Sequence, residues 1–251
     1  VDERTYDYLQ LQQQVASRPY MASEILRICK KKEVCPYELV KGAVPDAKVI
    51  ALSYLYVFDP GIRTAFLKNL ETELQKIILV VDEAHNLPET AIDISSSMIS
   101  LFVLKLAESE ANKFGYKDIE EFVRFFRDEV EKLTDKINKE EIISPNQIIT
   151  IIEKQGNVAK PTAFFEHIHE AGAAIKKALL ADGKNPRSYV NAVGEFLLKW
   201  LETADDESYI NVASKYYTKD NNKTAKLEIV ALDPAKITEP VFSSTYANVI
   251  M

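Results

Sequence analysis

The chain has 251 residues, 47% of them hydrophobic and 27% charged, with a formal net charge of −7. That composition is ordinary for a folded globular protein with a substantial core, and the acidic balance argues against a uniformly basic nucleic-acid binder while leaving room for a local basic groove. Two cysteines are too few for a disulfide-stapled secreted domain, no apolar run reaches the length of a membrane span, and no signal-peptide pattern opens the sequence.

Residues 1–34 read as two helical pieces broken near Pro19, with Leu9, Val15, Ile25, Leu26 and Ile28 as an apolar stripe. Arg27, Lys30, Lys31 and Lys32 cluster around Cys29. Such a run serves either as a solvated face or as a phosphate contact, and the sequence leaves both open. Cys35-Pro36-Tyr37-Glu38 follows, with Lys41 four residues beyond Tyr37. Two cysteines do not make a metal site unaided, and each also reads as a small buried thiol.

Residues 48–53 (KVIALS) form a short apolar strand candidate. Tyr54, Tyr56 and Phe58 continue it with a period of two, a pattern that suits sheet packing. Residues 60–75 read as a helix with Pro60 near its start. The next stretch, Lys76 to Pro88 (KIILVVDEAHNLP), organises the rest. Its uninterrupted run from Ile77 to Val81 predicts a strand buried on both faces in a parallel sheet, and ligands of such sheets bind beyond the carboxyl ends of the strands. Asp82 and Glu83 stand at that end. A hard cation such as Mg²⁺ takes oxygen ligands, so the first acid suits a metal and the second suits an attacking water.

From Ser96 to Thr203 the pattern predicts helices almost exclusively, over residues 100–113, 117–138, from Ser144-Pro145 on, from Pro161 on and from Asn185-Pro186 on. His167 and His169 lie two apart, hence on different helix faces, which argues against a shared metal. After Ser208, residues 209–213 and 227–231 flank 219–223 (KDNNK), which predicts an antiparallel hairpin. Asn248 to Met251 read as a last strand.

CPY, then DAKVIALSYLY, Asp59-Pro60 and VVDEAHN in this order resemble the XPD family of iron–sulfur DNA helicases, whose DEAH box is a Walker B motif. The lysine-rich, short-looped character suggests an archaeal member. The resemblance implies an α/β fold, a partial RecA-like motor domain, with a large all-α helical insertion known as the Arch domain, mostly helical overall. It divides the chain into an iron–sulfur remnant (1–45), part of motor domain 1 with the DEAH box (46–95), the Arch domain (96–207), and a hairpin with a return strand to motor domain 1 (208–251). It implies ATP and Mg²⁺ as cofactors, with Asp82 holding Mg²⁺ through water, Glu83 activating water and His85 coupling the nucleotide site to neighbouring motifs. Cys35 matches the fourth ligand of a 4Fe–4S cluster and Cys29 an earlier one, with a plain helical thiol as the alternative. Tyr37 and Lys41 fall where the family lines the path of single-stranded DNA.

No GxxxxGK[ST] phosphate loop occurs in the sequence, and at least two cluster cysteines are missing. The expectation is therefore a slice of a longer 5′–3′ helicase of nucleotide excision repair or DNA processing, inactive alone and without an assembled cluster. The alternative is a DNA- or protein-docking helical module with no enzymatic role. The setting expected is intracellular, cytoplasmic in an archaeon and nuclear in eukaryotic relatives, where the Arch domain docks repair or transcription-factor partners. Exposed edges of an incomplete sheet would favour a non-native dimer.

Overall fold

The computed structural model describes residues 3–154, 161–217 and 223–251. In chain order its helices are α1 (Glu3–Ala16), α2 (Ala22–Lys32), α3 (Pro36–Ala43), α4 (Leu55–Phe58), α5 (Pro60–Leu70), α6 (Leu87–Ser95), α7 (Leu101–Phe114), α8 (Lys117–Asp135), α9 (Pro145–Glu153), α10 (Pro161–Ala181), α11 (Tyr189–Glu202) and α12 (Ala235–Ser244). Its strands are β1 (Ile78–Val81), β2 (Ser97–Ser100), β3 (Glu140–Ile143), β4 (Tyr209–Tyr217), β5 (Lys223–Ala231) and β6 (Ala247–Ile250). The fold is mixed α/β and mostly helical. It divides into two compact units, one formed by the chain up to Ile94 with Ala235–Met251, the other by Ser95–Pro234.

In the first unit β1 and β6 pair in parallel, Ile78 opposite Ala247 and Val81 opposite Ile250. Val81 is buried with Phe58, Leu87 and Val241, and the Phe58 and Phe242 rings meet edge to face at 5.6 Å. The other face of the pair is open: Ile78 is 61% exposed, Val80 53% and Val249 45%. The strand is thus buried on one face and not on both, because a two-stranded sheet has only the α4 and α12 side to cover it. Residues 48–53 do not form a strand, and the expected strand–helix–strand unit is not formed. This segment finds no ladder partner among the described residues, Val49 is 88% exposed, and Tyr56 and Phe58 lie in the short helix α4. α12 was also missed, since Pro240 inside it reads as a breaker.

The N-terminal helices break where Pro19 predicts. Their inward residues, however, are Leu11, Cys29 and Leu39, flanked by Tyr8, Val15, Ile25 and Ile28, while Leu9 and Leu26 are exposed. The Tyr8 hydroxyl donates to the Glu38 carbonyl at 2.9 Å, which fixes α1 against α3.

In the second unit five helices surround one core that includes Phe122, Phe126, Phe165, Phe196 and Trp200. All five expected helices are present, although the last begins at Tyr189 with Ser188 as its N-cap, its hydroxyl accepting from Asn191 N–H. Two strands were missed: β2 and β3 join the hairpin in a four-stranded antiparallel sheet of order β2-β5-β4-β3. At four residues each, they offer too short an alternation to register in a sequence pattern. The hairpin is present as an antiparallel pair from Tyr209↔Ala231 to Tyr217↔Lys223; of its expected turn at 219–223, Lys223 opens β5 and residues 219–222 lie outside the described residues. Ile99, Ala213, Leu227 and Ile229 turn one sheet face into the helical core, so the hairpin belongs to this unit.

α10 and α11 pack with almost no space between backbones. A Cβ on Gly172 would lie 2.3 Å from Asn191 N, and one on Gly194 would lie 2.6 Å from His169 N. In an exposed helix Gly→Ala stabilises by about 1 kcal/mol. Here Gly172→Ala and Gly194→Ala are expected to destabilise by about 1–3 kcal/mol each, because the helices must move apart. Urea unfolding of the two variants checks the sign.

Candidate functional site

β1 ends at Val81, and Asp82 is the first residue beyond it. The chain then turns sharply. Glu83 takes the left-handed conformation (φ 53°, ψ 41°) and leads into a single 3₁₀ turn over Ala84–Asn86 before α6. This conformation costs an L-residue about 1–2 kcal/mol, so the surroundings must hold it. Three groups do so. Glu83 N–H donates to Asp82 Oδ1 at 3.0 Å, Ala84 N–H donates to the Met251 carbonyl at 2.9 Å, and Asn86 N–H donates to the Glu83 carbonyl at 3.0 Å. The Tyr54 hydroxyl also reaches the carbonyls of Asp82 and Glu83, the latter at 2.9 Å.

The outcome is an exposed cluster past the strand end. His85 Nδ1 lies 3.3 Å from Glu83 Oε2, and both side chains are about 70% exposed (72% and 70%). Asp82 is exposed beside them. The Glu83 carboxylate and the imidazole thus face each other, with the Asp82 carboxylate bonded to Glu83 N–H, on a backbone held by Met251 and Tyr54. A lone exposed carboxylate with room for water is a donor set that Mg²⁺ accepts, since that ion keeps several waters and takes one or two carboxylates. Tyr54 is the contributor that sequence reasoning passed over as sheet packing. No local signal marks it, because its partners are 28 and 29 residues away.

The second group of expected residues lies around α3. Cys35 is its N-cap residue and is exposed, and Pro36 occupies the first helical position. Tyr37 is 66% exposed, and Lys41, one turn on, lies 3.8 Å from Glu38 through Nζ. Tyr37 and Lys41 thus share a helix face open to solvent. Cys29 is 1% exposed, packed with Leu11 and Leu39. Burial, and secondarily the nearby Cys35 thiol, push its pKa up. The Cys29 carbonyl accepts from Glu33 and Val34 N–H, which ends α2 with Glu33 in the left-handed region. These two thiols alone do not fit a 4Fe–4S cluster, which takes four thiolates. Among the described residues no third His, Cys, Asp or Glu joins them.

His167 and His169 face different carboxylates, Asp118 at 3.0 Å and Glu195 at 3.9 Å, in keeping with their placement on different faces. No helix among the described residues is long and apolar enough to cross a membrane.

With this geometry in hand, similarity to known proteins can be located on the chain. The DEAD_2 family model matches residues 2–104. ATP-dependent DNA helicase CHL1 of Saccharomyces cerevisiae (strain YJM789) is 36% identical over 99 residues, 39% of this chain and 11% of that protein. The general transcription and DNA repair factor IIH helicase subunit XPD/RAD3 of Saccharomyces cerevisiae is 28% identical over 129 residues, 49% of this chain and 16% of the relative. A regulator of telomere elongation helicase 1 homolog from Anopheles gambiae is 33% identical over 94 residues, 37% of this chain and 9% of the relative. The chain thus spans about a tenth of the length of the first of these relatives. The matched family segment contains Cys29, Cys35, Tyr37, Lys41, Tyr54 and the Asp82–His85 turn.

If the turn is held as described, residue 83 must tolerate positive φ. Glu83→Val is expected to lower stability by about 1–2 kcal/mol, since a β-branched side chain is poorly accommodated there, whereas Glu83→Asn leaves it unchanged or raises it. Thermal unfolding of the two variants separates these outcomes.

Proposed function

We propose that this chain is part of an ATP-dependent DNA helicase and carries the acidic strand end of its ATP site. The observation that supports this most directly is the pair Asp82 and Glu83, immediately past a parallel strand, inside the segment that matches DEAD_2. The three relatives described above are named as helicases, the first of them as an ATP-dependent DNA helicase, which supports the same reading. In the longer protein Asp82 would hold Mg²⁺ through water, Glu83 would orient and deprotonate the attacking water, and His85 would link the nucleotide site to neighbouring motifs. Mg²⁺ supplies charge neutralisation on the phosphates when bound. The protein's own task is to keep both acids clear of the sheet, which the left-handed turn at Glu83 achieves.

Cys35 supplies one cluster ligand in that protein and Cys29 is a candidate for another, with the remaining thiolates coming from elsewhere. Tyr37 offers a ring face for base stacking and Lys41 a charge for phosphate, both on the open face of α3. Residues 96–207 correspond to the Arch domain, with the hairpin packed onto it, and they serve to enclose single-stranded DNA or to dock repair partners. Translocation runs 5′ to 3′, in nucleotide excision repair or related DNA processing.

Without a phosphate loop, the 251-residue polypeptide is expected to show no magnesium-dependent ATP turnover in a phosphate-release assay. Turnover abolished by Glu83→Gln would overturn that expectation. The DNA face has its own test in fluorescence anisotropy with a labelled single strand at low salt. Tyr37→Ala is expected to weaken binding by about 1–3 kcal/mol, the worth of one stacked base. Lys41→Gln is expected to reduce the salt slope by about 0.7. Unchanged binding in both variants would remove α3 from the DNA path.

A further inference from the structure

A surface groove of about 410 Å³ runs between α8 and α9 in the second unit. Its lining is mostly apolar, with Leu133 and Ile151 in the wall, and the charge around it is one-sided. α8 contributes Glu129 and Lys132 with Lys136 at its C-cap, spaced along one helix face, and α9 contributes Asn146 and Thr150 with Lys154 at its C-cap. Three ammonium groups therefore meet a single carboxylate, in a chain whose net charge is −7. That carboxylate is already engaged: Lys132 Nζ lies 2.7 Å from Glu129 Oε1. Among the described residues neither Lys136 nor Lys154 has an ion-pair partner.

Each of those two lysines stands at the C-terminal cap of its own helix, where the dipole favours a cation. The dipole accounts for each lysine singly. It does not account for both opening on one groove that also presents an amide and a hydroxyl, side chains that donate hydrogen bonds to oxyanions. The groove holds no exposed aromatic ring, so it lacks a stacking platform for bases. Its point charges and small donors stand around that apolar lining.

We propose that the α8–α9 groove is a phosphate-binding site, taking phosphate groups either as a free polyphosphate anion or as successive phosphodiesters of a nucleic-acid strand. This site is separate from the Asp82–Glu83 turn and from α3, and it stands whether or not the helicase reading does.

The test uses the full 251-residue chain with two probes, inorganic pyrophosphate by calorimetry and a labelled oligothymidylate by anisotropy, both at low ionic strength. Lys136→Gln and Lys154→Gln are each expected to weaken the bound probe about fivefold, as loss of one exposed charge contact of about 1 kcal/mol implies. Glu129→Gln is expected to tighten binding about two- to threefold by releasing Lys132, a gain that a purely helix-capping role for these lysines would not give. Lys177→Glu, an exposed charge on α10, serves as the control and is expected to leave affinity within twofold. Pyrophosphate binding with these responses identifies a free anion as the source. Response of the oligonucleotide alone, with a salt slope reduced by about 0.7 per lysine removed, identifies a strand. If neither probe binds, or if Lys177→Glu weakens binding as much as Lys136→Gln, the groove is not a phosphate site.

Discussion

The parallel pairing of β1 with β6 is the constraint from which the rest of the structure follows. Parallel strands cannot be joined by a tight turn and need a crossover connection. Here the crossover contains the entire Ser95–Pro234 unit. A short ladder between Ile78–Val81 and Ala247–Ile250 thus brings together two segments far apart in sequence, and the ends of the second unit must both return to the first. The same ladder continues past the strand end, since Met251 N–H donates to the Val81 carbonyl and Ala84 N–H to the Met251 carbonyl. The acidic turn is therefore held by the last residues of the chain as much as by its own sequence.

That arrangement gives the turn its chemical character. Left-handed backbone at a glutamate is unfavourable, and it persists because Tyr54, Asp82 and Met251 satisfy the surrounding backbone groups. The result is two carboxylates and an imidazole displayed to solvent from a rigid corner.

The second unit uses different means. Its helices and sheet share a core of large aromatics, and its tightest contact is between backbones at Gly172 and Gly194. Glu110 on α7 accepts from Ser188 Oγ and Val190 N–H and so seals the start of α11, while Glu108 accepts from Arg124 at 2.7 Å and from Arg127, tying α7 to α8.

Much of this was legible in the sequence because it is local. The five helices of the second unit follow from apolar spacing, the hairpin from two β-rich runs, and the strand before Asp82 from its β-branched residues. The carboxylates fall at that strand's end whatever the remainder does. What lay beyond local pattern depended on partners. Residues 48–53 have strand composition but no ladder to join, so their backbone stays irregular; β2 and β3 are too short to show a period, yet become strands because β5 and β4 offer edges. Ile78 and Val80 read as core and are exposed, because burial of a strand face is decided by what packs on it. The sequence by itself determined that Asp82, Glu83 and His85 follow one apolar run in a single short segment. Only the tertiary structure decided that Glu83 is left-handed, that Tyr54 reaches its carbonyl, and that the end of the chain closes the corner, since each of these is a contact between residues distant in sequence.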